Sequence, residues 1–193
     1  MSDSATSRHI AALRTSGRVP AARWCPSPNF GPRPDGDDIS LLVIHNISLP
    51  PEQFGGPYIE DFFCDRLDTS AHPYFREIAG MTVSAHLLIR RDGELLQFVS
   101  LRDRAWHAGR SVFCGREECN DYSIGIELEG ADQVPYTEAQ YRQLASVTRD
   151  IMAAWPAITE DRIAGHSDIA PGRKTDPGPA FDWPCFRRLL VAG

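Results

Sequence analysis

The chain reads as a single α/β domain in which helices flank one central mixed β-sheet. Three segments carry that reading. Leu41-Leu42-Val43-Ile44-His45-Asn46 is short, apolar on both faces and rich in branched residues, the pattern of a central buried strand. Val83 to Ile89 and Glu94 to Ser100 are apolar runs on either side of Arg90-Arg91-Asp92-Gly93, and Asp-Gly between such runs marks a hairpin. Tyr141, Leu144, Thr148, Ile151 and Trp155 recur at spacings of three and four, the period of a helix with one buried face. Thr137 and Gln140 form a capping box at its start, and Pro156 ends it.

In chain order, residues 1 to 25 read as a lead-in and residues 26 to 193 as the domain. Cys25-Pro26, Ser27-Pro28 and Arg33-Pro34 favour extended and turn conformations over helix up to about residue 38. The first strong element then ends on His45 and Asn46. Residues 49 to 81 are broken by Pro50-Pro51, Gly55-Gly56-Pro57 and His72-Pro73. They leave room for short helices around Tyr58 to Asp65 and Tyr74 to Ile78, and loops this long in a domain are commonly functional. Beyond the hairpin, Trp106-His107-Ala108-Gly109 and a polar loop lead to Ser123 to Glu129. There Ile124, Ile126 and Leu128 share one face of a strand, with Gly125 and Glu127 on the other. Ile163-Ala164 introduces Gly165-His166, and the stretch from His166 to Pro179 holds three prolines and two glycines in 14 residues. It reads as a stiff loop, neither helix nor strand. Phe181, Trp183 and Phe186 to Val191 read as a terminal helix packing on the sheet.

Composition bounds the function classes. A length of 193 residues suits one domain able to fold without a disulfide or metal. Hydrophobic residues at 42% and charged residues at 24% exclude a disordered or fibrous chain. No apolar run approaches the ~18 residues of a membrane span, and Met1 to Ser7 lacks the apolar core of a secretory signal. A net charge of −6 argues against nucleic acid as a partner. The five cysteines are odd in number and irregular in spacing, as expected of free thiols in a reducing compartment.

Among the six histidines, His9 lies in the lead-in and is set aside. His45 ends a buried strand and His166 opens the shaped loop. With Asp168 or Asp176 they make three N/O ligands, the protein's share of a catalytic zinc site whose fourth position takes water. Spacing alone does not choose between the two acids. Glu127 is by itself either a solvated strand carboxylate or an acid/base, and Lys174 either a surface lysine beside Arg173 or an active one. His86 reads as a hydrogen-bonded structural residue. Trp106 and His107 offer an aromatic platform and a polar neighbour for a sugar ring.

Five collinear stretches, Leu42 to Pro51, Ser84 to Glu94, Arg104 to Gly109, Asn120 to Gly130 and Gly165 to Pro179, resemble the AmpD family of cytoplasmic 1,6-anhydro-N-acetylmuramoyl-L-alanine amidases. The likeness runs in order from about Pro26 to Leu190. It implies a zinc amidase on the fold shared with peptidoglycan recognition proteins and phage lysozyme-amidases. The family's zinc ligands fall on His45, His166 and Asp176, its acid/base on Glu127 and its catalytic lysine on Lys174. The implied substrate is an anhydromuropeptide, cut between the lactyl group and L-alanine by a monomer in the cytoplasm. The family link to β-lactamase regulation comes with it. Asn46, Trp106, His107 and Arg173 are the expected substrate contacts. Ala85 stands where phage and recognition-protein relatives carry a catalytic tyrosine, and Asp176 where they often carry cysteine, which places the chain on the AmpD branch. Thr82 and Glu118 replace arginines of relatives, so the stem-peptide preference stays open. Two other functions compete: a broader N-acetylmuramoyl-L-alanine amidase and a non-catalytic muropeptide binder.

Overall fold

Leu41–Ile47 is apolar on both faces, so both faces of the sheet around it have to be covered. The structure, a computed structural model, describes residues 2–36 and 38–192; Met1, Asp37 and Gly193 lie outside the described residues. The chain runs through α1 (Ser2–Ser16), β1 (Arg23–Trp24), β2 (Phe30–Gly31), β3 (Leu41–Ile47), α2 (Tyr58–Phe63) and α3 (Pro73–Glu77). It continues through β4 (Leu87–Ile89), β5 (Leu95–Gln97), β6 (Arg104–Ala105), β7 (Val112–Phe113), β8 (Arg116–Glu117) and β9 (Ser123–Glu129). Last come α4 (Glu138–Ala154), β10 (Ile163–Gly165), α5 (His166–Ile169) and α6 (Trp183–Val191).

The sheet is mixed, in the order β1-β5-β4-β9-β3-β10. Only β4 and β5 are antiparallel, joined by the expected hairpin, while β4, β9, β3 and β10 run parallel. Gly93 takes φ +90°, which the Asp-Gly turn requires. Parallel neighbours need crossovers that place helices over the faces, and α4 supplies one of them. Its capping box forms as read, with Thr137 Oγ1 accepting from Gln140 N at 3.1 Å and Gln140 Oε1 accepting from Thr137 N at 3.1 Å. Leu144, Ala145 and Ile151 of α4 pack with Leu42, Ile44, Ile124, Ile126 and Leu128 in the main core.

The opposite face is filled from two sides. Residues 49 to 81 form two short helices, as expected, and bring Phe62, Phe63 and Phe75 against Leu88, Leu96 and Phe98. Leu41, Val43, Ala108, Tyr122, Ala164 and Ile169 make a separate cluster. Apolar packing is interrupted between these clusters, and the interruption is where the site lies.

Two readings change and one is extended. The lead-in carries a helix, α1, which packs on α4 and places Leu13 in the main core together with Val19. Its amphipathic signal is weak because few apolar residues are needed to dock one turn. The terminal helix α6 packs on α4 and shares the main core with the sheet through Phe186 and Leu190. The loop opening at His166 begins with one helical turn, α5. There Asp168 Oδ2 accepts from Gly165 N at 2.7 Å, so a capping carboxylate turns into helix a segment that its proline and glycine content marked as loop.

Arg33 was not singled out in the sequence, yet it is buried and clamps the second face. Its guanidinium donates to the carbonyls of Leu101, Arg102, Asn120, Asp121 and Ser123 at 2.9–3.2 Å. Burial lowers its pKa to about 10, with Asp103 and Asp121 opposing. Arg33→Ala is expected to destabilise the fold by several kcal/mol, because each buried carbonyl left without a donor costs about 1–3 kcal/mol. Arg33→Lys should recover little, since an ammonium cannot fan across five carbonyls. A wild-type denaturation midpoint for the lysine variant would refute this.

Candidate active site

Register builds the site. His45 pairs with Glu127 across β3 and β9, so the two side chains project side by side from the second face. Gly165, the last residue of β10, pairs with Ile44, which sets His166 next to His45. All three therefore lie toward the carboxyl ends of parallel strands, where open α/β sheets bind ligands.

Asp176 arrives from the turn after α5, and several bonds hold it there. Ser167 N donates to Asp176 O at 2.9 Å. The next carbonyl, Pro177 O, accepts from Tyr136 Oη at 2.7 Å and from Asn46 Nδ2 at 3.1 Å. Asn46 Nδ2 also donates to Asp132 Oδ1 at 2.8 Å. The structure thus uses the Asn46 amide protons to hold this turn.

The donor atoms converge. His45 Nδ1 lies 2.9 Å from His166 Nδ1 and 3.1 Å from Asp176 Oδ2, and His166 Nδ1 lies 3.0 Å from the same oxygen. His166 Nε2 stands 3.0 Å from Ala108 O. A carbonyl only accepts, so Nε2 carries a proton there and Nδ1 is the ring nitrogen turned inward. Nδ1 of both rings and one Asp176 oxygen thus face a single point, where one cation can be shared by all three. Separations near 3 Å also suit one ion about 2.0–2.2 Å from each donor. Both histidines and Asp176 therefore fit a divalent metal, and Asp168, spent on its cap, does not join them.

The electrostatics separate the two acids. Burial pushes Asp176 up, but hydrogen bonds from His166 and His45 outweigh it and hold the carboxyl well below the usual range. Burial lowers His45 to about 4, against the pull of Asp176, which keeps the ring neutral and able to ligate. Glu127 goes the other way. It is buried, its Oε2 has no hydrogen-bond partner among the described residues, and burial together with the charge of Asp176 raises its pKa well above the ordinary 4.5, with Lys174 opposing. An unpaired buried carboxylate with a raised pKa is poised to exchange a proton.

These groups line one cavity of about 350 Å³, to which Asn46, Trp106, His107 and Lys174 also contribute. Arg173 and the ring nitrogens of His107 are placed differently from expectation. Arg173 lies outside this cavity, donating to Ala108 O at 2.6 Å and Arg110 O at 2.7 Å and lining a separate cavity with Glu118. His107 reaches the cavity wall, but its ring nitrogens face His45 Nε2 at 2.9 Å and Ser123 Oγ at 3.1 Å, leaving neither for a substrate. Gly125 does not leave open space beside Glu127, because the His107 ring occupies it. Asn120, Ser123 and the Ala108 carbonyl were missed by sequence reading, and no local pattern marks them. His86 is structural, as read: its Nδ1 accepts from Gly125 N at 3.0 Å.

Sheet, helices and donor set together define a hydrolase-type cleft, and comparison with known proteins gives its class. A sequence profile of the N-acetylmuramoyl-L-alanine amidases matches residues 35–179, and the chain belongs to that family. Within it, the chain is 60% identical over 179 residues to the 1,6-anhydro-N-acetylmuramyl-L-alanine amidase AmpD of Salmonella typhimurium, covering 93% of this chain and 95% of that protein. The crystal structure of a selenomethionine AmpD derivative superposes with a TM-score of 0.88 at 57% identity, covering 91% of this chain and 97% of that one. The amidase AmiD of Escherichia coli, in complex with anhydro-N-acetylmuramic acid-L-Ala-D-γ-Glu-L-Lys, superposes with a TM-score of 0.58 at 31% identity. That match covers 79% of this chain and 57% of AmiD.

Proposed function

We propose that the chain is a zinc-dependent amidase of cytoplasmic peptidoglycan recycling, hydrolysing the amide between the lactyl group of 1,6-anhydro-N-acetylmuramic acid and L-alanine of the stem peptide. The observation that carries the chemistry is the convergence of His45, His166 and Asp176 beside the unpartnered carboxylate of Glu127. The substrate rests on likeness to relatives named for it, and the compartment on five free thiols among the described residues. No helix among those residues is long and apolar enough to cross a membrane.

One zinc would be held by His45, His166 and Asp176, and it would supply Lewis acidity, lowering the pKa of water and polarising a carbonyl. Glu127 does the proton work: it takes the proton of the attacking water and passes it to the departing alanine nitrogen. Its raised pKa suits it to hold that proton between the two steps. Lys174, on the cavity wall, sets its ammonium toward the carbonyl oxygen that gains negative charge. Trp106 offers an apolar face to the sugar.

The test is hydrolysis of anhydro and reduced muropeptides side by side. The expected result is release of free stem peptide from the anhydro form with strong preference over the reduced form. Equal rates would establish the broader amidase, and binding without release would establish a muropeptide binder.

A further inference from the structure

We propose that His107 is a positioning residue of the metal centre: it accepts the Nε2 proton of His45 and so turns the His45 Nδ1 lone pair toward the metal. The inference rests on the zinc reading above and concerns how this chain prepares that site.

His45 is buried, and among the described residues its hydrogen-bond partner on the Nε2 side is His107 Nδ1, at 2.9 Å with the rings nearly perpendicular (85°). His107 Nε2 in turn meets Ser123 Oγ at 3.1 Å. Two proton arrangements satisfy this row. In one, Ser123 donates to His107, His107 to His45, and His45 carries its proton on Nδ1, among the donor atoms, where it excludes a cation. In the other, His45 Nε2–H donates to His107 Nδ1 and His107 Nε2–H donates to Ser123 Oγ. Only the second leaves Nδ1 free to ligate. No proton is gained or lost between them, so His107 acts by direction, not by charge.

The residue is held to that task from two sides. A Cβ at Gly125 would lie 2.5 Å from His107 Cγ, so the glycine is the floor on which the ring rests. Asn120 Oδ1 accepts from His107 N at 3.0 Å and from Ala108 N at 2.8 Å. The same two-residue segment thus orients both histidine ligands: the ring of His107 sets His45, and the carbonyl of Ala108 sets His166. Partners of this kind fix ligand tautomers and contribute about 10–100-fold to metal affinity.

The experiment measures zinc affinity by chelator competition for wild type, His107→Leu and His107→Gln, together with nitrogen-15 NMR of the histidine rings in the zinc-loaded wild type. His107→Leu removes the acceptor and should weaken zinc binding about 10–100-fold. His107→Gln, whose side-chain carbonyl can accept from His45, should restore most of that loss. The spectra should show protons on Nε2 of both His45 and His107. Unchanged affinity in the leucine variant, or a proton on His107 Nδ1 in the loaded wild type, would overturn the proposal. The spectra decide it even if His107→Leu does not fold. Wild type that takes up no zinc would overturn the metal reading itself, a different outcome from wild type and variants binding equally.

Discussion

Glu127→Gln is expected to lower turnover of the anhydromuropeptide by about 10²–10⁴-fold, the usual contribution of a positioned general acid/base, while zinc content stays at the wild-type level. The metal is retained because Glu127 is not among the three donor atoms. Turnover is lost because the other carboxylate lining the cavity among the described residues, Asp176, is held well below the usual range by its histidine partners. The same substitution should make the metal-free protein more stable at neutral pH. Folded Glu127 binds its proton more tightly than the unfolded residue does, whose pKa lies near 4.5. Wild type therefore loses stability as pH rises from that value through the raised folded one. Glutamine has no charge to bury, so the variant should melt higher at pH 7 and converge with wild type below about pH 4. Activity within a few-fold of wild type, with zinc still bound, would refute the acid/base role.

Asp176→Ala should reduce bound zinc from one ion per chain to almost none and take hydrolysis to background. The carboxylate is the one anionic member of the donor set, 3.1 Å from His45 Nδ1 and 3.0 Å from His166 Nδ1, and two neutral imidazoles alone make a weak site for a divalent ion. Asp168→Ala is the matched control. It removes the bond to Gly165 N and should cost some stability at α5, but zinc should remain. Metal analysis of the purified variants separates the two, and zinc retained by the Asp176 variant would overturn the ligand assignment.

The periodic parts of the fold were legible. Alternation placed Gly125 and Glu127 on one face of their strand and Ile124, Ile126 and Leu128 on the other, and the core shows that division. The capping box of α4 and the Asp-Gly hairpin formed where their residues stand. Helix α1 and the turn at His166 were not legible, because each depends on a partner far along the chain or on one capping oxygen, not on a period. The same holds for Arg33, which no local pattern distinguishes from a surface arginine.

By itself, the sequence determined the residue types that can do chemistry, the strand and helix periods that carry them and, through resemblance, the family in which they work. Tertiary structure decided which of them meet. His45 and His166 lie 121 positions apart, and His45 and Asp176 131, so their convergence depends on the neighbours and register of β3, β9 and β10. It also decided that Asp168 is a cap, that Arg173 stands outside the cavity and that the ring nitrogens of His107 face His45 and Ser123. The physical reason is that side-chain direction along one strand is a local property. The atom that each polar group finally faces is set by long-range packing and by the demand that buried donors and acceptors be paired.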